Sequence, residues 1–192
     1  MATRSYRVGR KIAVYGNSGS GKITVGRELS RRLGVPYVEL DSIFHYRPNW
    51  EDRETEDFRE QVRRLLGQHP DGWVFDGNYG AVRELILPEA DTAVWLKLPW
   101  ILVYYRLATR TIGRSFRRAQ LWNGNEETLK QTFFSKDSML LWGITSWKRS
   151  RLNTAEALRG APKSAAIHVL RSPREVRAFL ASVADRDDAP RS

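Results

Sequence analysis

The sequence predicts an α/β fold in which a parallel sheet is covered by helices on both faces. Short apolar runs alternate with longer segments whose apolar residues recur at helical spacing, and this alternation is typical of βαβ units. A glycine-rich connection, Gly16 to Gly21, joins the first apolar run to the first helical segment. The length of 192 residues suits one domain with a core of its own. We therefore expect a single domain over 1–192, with a frayed tail near 185–192.

The apolar runs predict five strands, each followed by glycine or a charged residue. These strands cover 11–15, 37–40, 73–75, 92–96 and 165–170.

Helical spacing accounts for most of the chain between the strands. Val25, Leu29 and Leu33 recur every four residues and stop before Gly34. The next helix carries Phe58 and Val62 on one face, with Asp52 or Thr55 as its N-cap. Further helices are predicted from Pro99 to about Ile112, from about Met139 to Leu158, and from Ser172 onward.

The composition excludes several kinds of site. The chain has no cysteine, which removes thiolate-bound zinc, iron–sulfur clusters and thiol nucleophiles. Its three histidines, His45, His69 and His168, share no metal-ligand spacing. No apolar run approaches the roughly 18 residues of a membrane span, and no secretory signal is visible. We therefore expect a cytoplasmic protein without a membrane partner.

The net charge of +10, from 32 basic and 22 acidic residues, favours a polyanionic partner. The stretch from Thr92 to Asn125 contains no acidic residue but several arginines, among them Arg106, Arg110 and Arg114. Arginine is well suited to phosphate oxygens. Nucleic acid is a possible partner, but it is not favoured because no DNA- or RNA-reading motif is present.

Gly16-Asn17-Ser18-Gly19-Ser20-Gly21-Lys22 fits the G-x-x-x-x-G-K core of a phosphate-binding loop. Its glycines let consecutive backbone amides surround phosphate oxygens, and the following helix adds the positive end of its dipole. Lys22 supplies a mobile cation. The candidate nucleotide-binding residues here are Gly16, Ser18, Gly19, Ser20, Gly21, Lys22, Ile23 and Thr24.

Ile23 departs from the Ser or Thr that normally follows the lysine and ligates Mg²⁺. Thr24 lies about 100° further around the helix and is better placed for an α-phosphate. Two interpretations remain open. Either carboxylates, phosphates and water hold Mg²⁺ without this hydroxyl, or phosphoryl transfer is lost and a nucleotide-binding regulator remains.

Asp41 and Asp76 follow the second and third strands, so we expect both at the ligand edge of the sheet. A carboxylate there can hold a Mg²⁺-bound water or accept the proton of an attacking hydroxyl, and each could instead cap a helix or turn. Four nearby side chains are candidates for binding an acceptor, although the aromatic ones could equally pack helices: His45, Trp50, Asn78 and Tyr79.

The segments GNSGSGK, VELDSIF, WVFDGNY, ADTAVWLKLP and VLRSPREVRAFL resemble the adenylate kinase-related P-loop proteins often labelled DNA topology modulation proteins. The resemblance covers about residues 11 to 183. It implies a three-layer P-loop NTPase fold with strand order 2-3-1-4-5, ATP as phosphoryl donor, Mg²⁺, and a helical, arginine-rich lid near 113–125.

The same resemblance implies roles for individual residues. Asp76 would support Mg²⁺ through water, and Asp41 would contact the acceptor or the metal. The predicted activity is transfer of the γ-phosphoryl group to a nucleotide or a small metabolite. Catalytic candidates are Lys22, Asp41, Asp76, Arg110 and Arg114; Arg106, Arg110 and Arg171 join the nucleotide-binding set.

Overall fold

The computed structural model of the chain describes residues 6–45, 53–117 and 147–183, and for 111–117 it describes the helical backbone alone. Five strands are present in these ranges: β1 (Lys11–Gly16), β2 (Tyr37–Glu39), β3 (Trp73–Asp76), β4 (Thr92–Leu96) and β5 (Ala166–Leu170). The helices are α1 (Lys22–Leu33), α2 (Leu40–Phe44), α3 (Thr55–Gln68), α4 (Gly80–Ile86), α5 (Trp100–Arg117), α6 (Trp147–Arg159) and α7 (Pro173–Ser182), with a 3₁₀ turn over Leu87–Glu89.

The strands form one parallel sheet in the order β2-β3-β1-β4-β5. This confirms the fold class and the strand order. In this register Asp76 pairs with Val14 of β1 on one side and with Glu39 of β2 on the other. The carboxyl ends of β1, β2 and β3 therefore meet at one edge, where the connections to α1, α2 and α4 begin.

Apolar side chains cover both faces of the sheet, because buried parallel strands are apolar on both sides. One layer includes Phe58 and Val62 of α3 and Val82 of α4, packed against Trp73 and Phe75. The opposite layer includes Val25 and Leu29 of α1 and Phe179 of α7. Trp73 and Trp95 are 0% and 5% exposed, so both belong to the core.

Several predicted boundaries are corrected. β2 ends at Glu39, since Leu40 opens the short helix α2. Thr55 is the first residue of α3 rather than its N-cap, and the N-cap residue Glu54 makes no side-chain cap bond. Helix α5 continues to Arg117 instead of ending near Ile112, so 113–117 of the expected lid belong to it. Residues 118–125 of that lid, Asp52 and the stretch from Met139 to Ile144 lie outside the described residues.

Two predicted helix ends are confirmed. Gly34 ends α1 in the left-handed conformation, with φ of 61°, and its N–H donates to the carbonyl of Ser30. Ser172 caps α7, since its hydroxyl accepts a hydrogen bond from the backbone N–H of Glu175. In the part of the chain that is described, no helix is both long and apolar enough to span a membrane.

Candidate active site

The glycine-rich loop between β1 and α1 has the backbone conformation that its glycines permit. Gly19 and Gly21 have φ of 83° and 92°, in the left-handed region that other residues rarely adopt. A Cβ at Gly19 would also lie 2.6 Å from the carbonyl oxygen of Val103 in α5. The loop thus packs closely on α5, and the N-terminus of α1 opens at Lys22, as an anion-binding loop requires.

Asn78 ties the start of this loop to the end of β3. Its Nδ2 donates to the carbonyl of Gly16 at 2.7 Å, and its Oδ1 accepts from the N–H of Gly16 at 3.2 Å. Nδ2 also lies 3.4 Å from the hydroxyl of Ser150 in α6. Asn78 was predicted to bind an acceptor. Its amide group instead bonds the backbone of the loop, a role that the sequence did not reveal.

Asp76, the last residue of β3, is buried beside the loop, with 1% of its surface exposed. Its Oδ2 accepts a hydrogen bond of 2.6 Å from the hydroxyl of Tyr37. Its Oδ1 is buried and has no hydrogen-bond partner among the described residues. Burial raises the pKa of Asp76, and the nearby charge of Lys22 opposes that rise. Lys22 and Asp76 are thus electrostatic neighbours, as expected from the positions of their strands.

Asp41 lies in α2 directly after β2, on the same sheet edge. Its Oδ1 accepts a hydrogen bond of 2.6 Å from the hydroxyl of Tyr79, which lies between β3 and α4. The Tyr79 oxygen is also 3.4 Å from Nε2 of His45. The negative charge of Asp41 further raises the pKa of Asp76, so the two carboxylates lie within electrostatic reach of each other.

The aromatic residues on this side pack against one another. The ring of Tyr79 lies 4.9 Å from that of Phe44 and 5.2 Å from that of Phe58, measured between centroids. Phe44 also meets the ring of His45 at 5.1 Å. Tyr79 and His45 are therefore held by packing, while the hydroxyl of Tyr79 bonds to Asp41 and lies near Nε2 of His45. Trp50 lies outside the described residues.

The arginines predicted to bind phosphate differ in their exposure, and one lies where side chains are not described. Arg106 is exposed on α5 and Arg110 is half-buried one turn further on, whereas Arg114 lies where the backbone alone is described. Arg171 is exposed before α7, and its backbone N–H donates to Oε2 of Glu175 at 2.8 Å. Their proposed contacts with phosphate stay predictions.

The donor set fits a hydrated magnesium ion in one respect and lacks a ligand in another. Oδ1 of Asp76 is a buried carboxylate oxygen without a hydrogen bond, and such hard oxygens suit Mg²⁺ or its bound water. Ile23 is half-buried and offers no oxygen, while Thr24 is exposed. The hydroxyl of Ser20 in the loop is likewise buried without a hydrogen-bond partner among the described residues, so it and Oδ1 of Asp76 are the candidate oxygens for a hydrated ion.

Two curated relatives are similar to the chain in sequence, whereas no protein-family model matches it. A shikimate kinase of Paramagnetospirillum magneticum is 34% identical over 129 residues, which are 59% of this chain and 62% of that protein. A shikimate kinase of Novosphingobium aromaticivorans is 33% identical over 140 residues, 62% of this chain and 67% of that protein. The chain thus spans about two thirds of the length of these relatives.

Solved structures of kinases share the fold. A shikimate kinase from Acinetobacter baumannii in complex with shikimate has a TM-score of 0.53 at 16% identity, with 91% of this chain and 90% of that chain covered. A sugar kinase from Janibacter sp. HTCC2649 has a TM-score of 0.51 at 15% identity, with 95% and 96% covered. At these identities the structures establish the fold alone.

Family membership rests instead on the sequence relatives. An identity of 33% that extends over 67% of a curated protein, within a shared fold, is too high for an unrelated chain. The chain belongs to the P-loop kinase family that includes the shikimate kinases.

Proposed function

We propose that this protein transfers the γ-phosphoryl group of ATP to a hydroxyl group of a small metabolite. The observation that carries the proposal is the meeting of a phosphate-binding loop, Lys22 and two tyrosine-bound carboxylates at one edge of the sheet. Phosphoryl transfer depends mainly on positioning and charge neutralisation, and these groups supply both.

On the donor side, the amides of the loop and the ammonium group of Lys22 would bind the phosphates of ATP. Asp76 would hold magnesium through water, and that ion would neutralise charge on the β- and γ-phosphates. Arg106, Arg110, Arg114 and Arg171 are the proposed additional phosphate contacts.

On the acceptor side, Asp41 would orient the attacking hydroxyl and take its proton. The new bond forms between the acceptor oxygen and the γ-phosphorus, while the bond from that phosphorus to the β–γ bridging oxygen breaks. The proton passes to Asp41 and ADP leaves with the electrons of the broken bond. His45 and Tyr79 line this side, and Trp50 completes the proposed acceptor set.

A hydroxylated metabolite is favoured over a nucleotide as acceptor, since both curated relatives are named as shikimate kinases. The narrower resemblance to DNA topology modulation proteins stays a prediction and identifies no acceptor.

The test is ADP release from ATP and Mg²⁺ in the presence of shikimate, gluconate or AMP, tried separately. We expect one of the two hydroxy acids to raise ADP release well above the rate with water alone. Lys22→Met should abolish that increase, and Tyr105→Phe, which alters an exposed helix residue, should leave it unchanged. ADP release stimulated by AMP alone would exclude a metabolite acceptor.

Ile23 favours one competing function, a nucleotide-binding regulator with little turnover. If the missing hydroxyl limits catalysis, Ile23→Ser should raise the rate of ADP release sharply, because serine there ligates Mg²⁺. An unchanged rate in Ile23→Ser would argue against this function.

A further inference from the structure

The carboxylate of Asp76 is held by a tyrosine from the neighbouring strand. Tyr37 of β2 pairs with Val74 of β3, two residues before Asp76, and its hydroxyl reaches forward to donate to Oδ2 at 2.6 Å. The phenol hydroxyl is the donor of this bond and the carboxylate oxygen is its acceptor. One oxygen of Asp76 is therefore fixed, and the orientation of the other follows from it.

Helix α1 provides the space that this tyrosine needs. A Cβ at Gly26 would lie 2.6 Å from Cε2 of Tyr37, so no other residue fits there while the ring keeps its position. The guanidinium of Arg27 lies over the same ring, 5.7 Å from its centroid. Glycine in the middle of a helix is unfavourable, and its presence here serves the ring of Tyr37.

The other carboxylate oxygen of Asp76, Oδ1, makes no such bond to any described residue. Oδ1 is buried and has no hydrogen-bond partner among the described residues, a costly state for a carboxylate. Asp76 pairs with Val14 of β1, two residues before the phosphate-binding loop begins at Gly16, so the carboxylate lies near that loop. The loop itself offers Ile23 where a metal-ligating hydroxyl is usual.

We propose that Tyr37 is a positioning residue that orients Asp76 toward magnesium, and that this oriented carboxylate replaces the loop hydroxyl that Ile23 lacks. The inference rests on the proposed function, because it assumes that a magnesium-bound nucleotide occupies the loop. Tyr37 itself contacts neither the metal nor the nucleotide; it acts through Asp76.

The experiment measures how strongly Mg²⁺ raises the affinity for AMP-PNP, an ATP analogue that is not hydrolysed at the γ-phosphate. Calorimetric titrations with Mg²⁺ and with EDTA give the ratio of the two dissociation constants for each variant. In the unaltered protein, Mg²⁺ should lower the dissociation constant relative to EDTA. We expect Tyr37→Phe to reduce this effect of Mg²⁺ by about tenfold, as for residues that orient a metal-binding group, and to change the affinity in EDTA by less than about twofold. A purely structural role would change both affinities together.

A second variant disturbs the same contact without removing the hydroxyl. Gly26→Ala places a methyl group against the ring and should displace the tyrosine from Asp76, so the ratio should fall as in Tyr37→Phe. Tyr105→Phe is the matched control, since it removes a hydroxyl from an exposed tyrosine on α5. The melting temperature of each variant establishes that it is folded.

The Ile23→Ser variant tests directly whether the oriented carboxylate of Asp76 takes the place of the missing loop hydroxyl. With a hydroxyl restored to the loop, the metal gains a ligand that does not depend on Tyr37. The added change Tyr37→Phe should then reduce the ratio by only about twofold, instead of the about tenfold expected for a positioning residue in the original background.

The outcomes are distinguishable. A folded Tyr37→Phe variant that keeps the full effect of Mg²⁺ overturns the inference, as does an equal loss with Ile23 and with Ser at that position. AMP-PNP binding that is indifferent to Mg²⁺ in the unaltered protein overturns the inference and leaves nucleotide binding intact. No binding of AMP-PNP at all overturns the proposed function, and the inference falls with it.

Discussion

Asp76 carries a cost at neutral pH that follows from its burial. Its pKa is raised above the ordinary value by desolvation, so the carboxyl binds protons more strongly in the folded chain than in the unfolded one. A raised pKa contributes stability below the unfolded value of about 4, and this contribution is lost as the pH rises through the folded value. The proposed metal site needs the ionised form of Asp76. In the absence of metal, the folded chain is thus less stable with Asp76 ionised than with Asp76 protonated.

Asp76→Asn removes this charge while keeping an oxygen that can accept from Tyr37. In metal-free buffer at pH 7 we expect the free energy of unfolding to rise, and the difference to shrink toward pH 4. Urea unfolding at both pH values measures it. A variant that is less stable than the unaltered chain at pH 7 would contradict the expected burial cost.

Tyr79 should affect the acceptor reaction, because its hydroxyl holds Oδ1 of Asp41 at 2.6 Å. In Tyr79→Phe the carboxylate loses this orientation but remains present, so we expect kcat to fall roughly tenfold to hundredfold, less than the roughly hundredfold to ten-thousandfold contribution of a general base itself. The ring contacts with Phe44 and Phe58 remain in this variant. Steady-state kinetics with the active acceptor measure kcat, and a rise of KM alone would assign Tyr79 to acceptor binding instead.

Among the helices, two glycines in different backbone conformations allow a matched comparison. Gly34 ends α1 with φ of 61°, whereas Gly67 lies inside α3, where an added methyl group would meet nothing within 4 Å. Gly34→Ala forces alanine into the left-handed region and should lower the free energy of unfolding by about 1 to 2 kcal/mol. Gly67→Ala should raise it by about 0.5 to 1 kcal/mol through helix propensity.

Urea denaturation of the two alanine variants checks both signs. Equal effects would mean that the left-handed turn after α1 does not depend on glycine.

The elements also show what sequence patterns can predict. The apolar runs of the sequence and the residues that interrupt them predicted all five strands, because each strand is a short apolar run. Helix α4 was not predicted, since its seven residues are too few for a periodic signal. Asp41 and Asp76 were found from their places at strand ends. The roles of Tyr37, Gly26 and Asn78 were not, because their contacts depend on strand register and on the packing of α1, which no local pattern records.

At the scale of the whole molecule, nucleotide binding at the loop should stabilise the fold by mass action. A ligand at one hundred times its dissociation constant adds about 2.7 kcal/mol if it binds the folded chain alone. We therefore expect AMP-PNP with Mg²⁺ to raise the melting temperature of the unaltered chain. In Lys22→Met this shift should disappear while the melting temperature without ligand stays similar. A persistent shift in Lys22→Met would place the nucleotide away from the loop.

The absence of a side chain at Gly26 has an evolutionary consequence. Alanine at an inner helix position is about 1 kcal/mol more favourable than glycine, so sequence drift would replace Gly26 if nothing opposed the change. What opposes it is the ring of Tyr37, 2.6 Å from the position of the missing methyl group. The two positions should therefore have diverged together: homologous chains that lost the glycine are expected to have lost the tyrosine as well, and to have regained serine or threonine after the loop lysine.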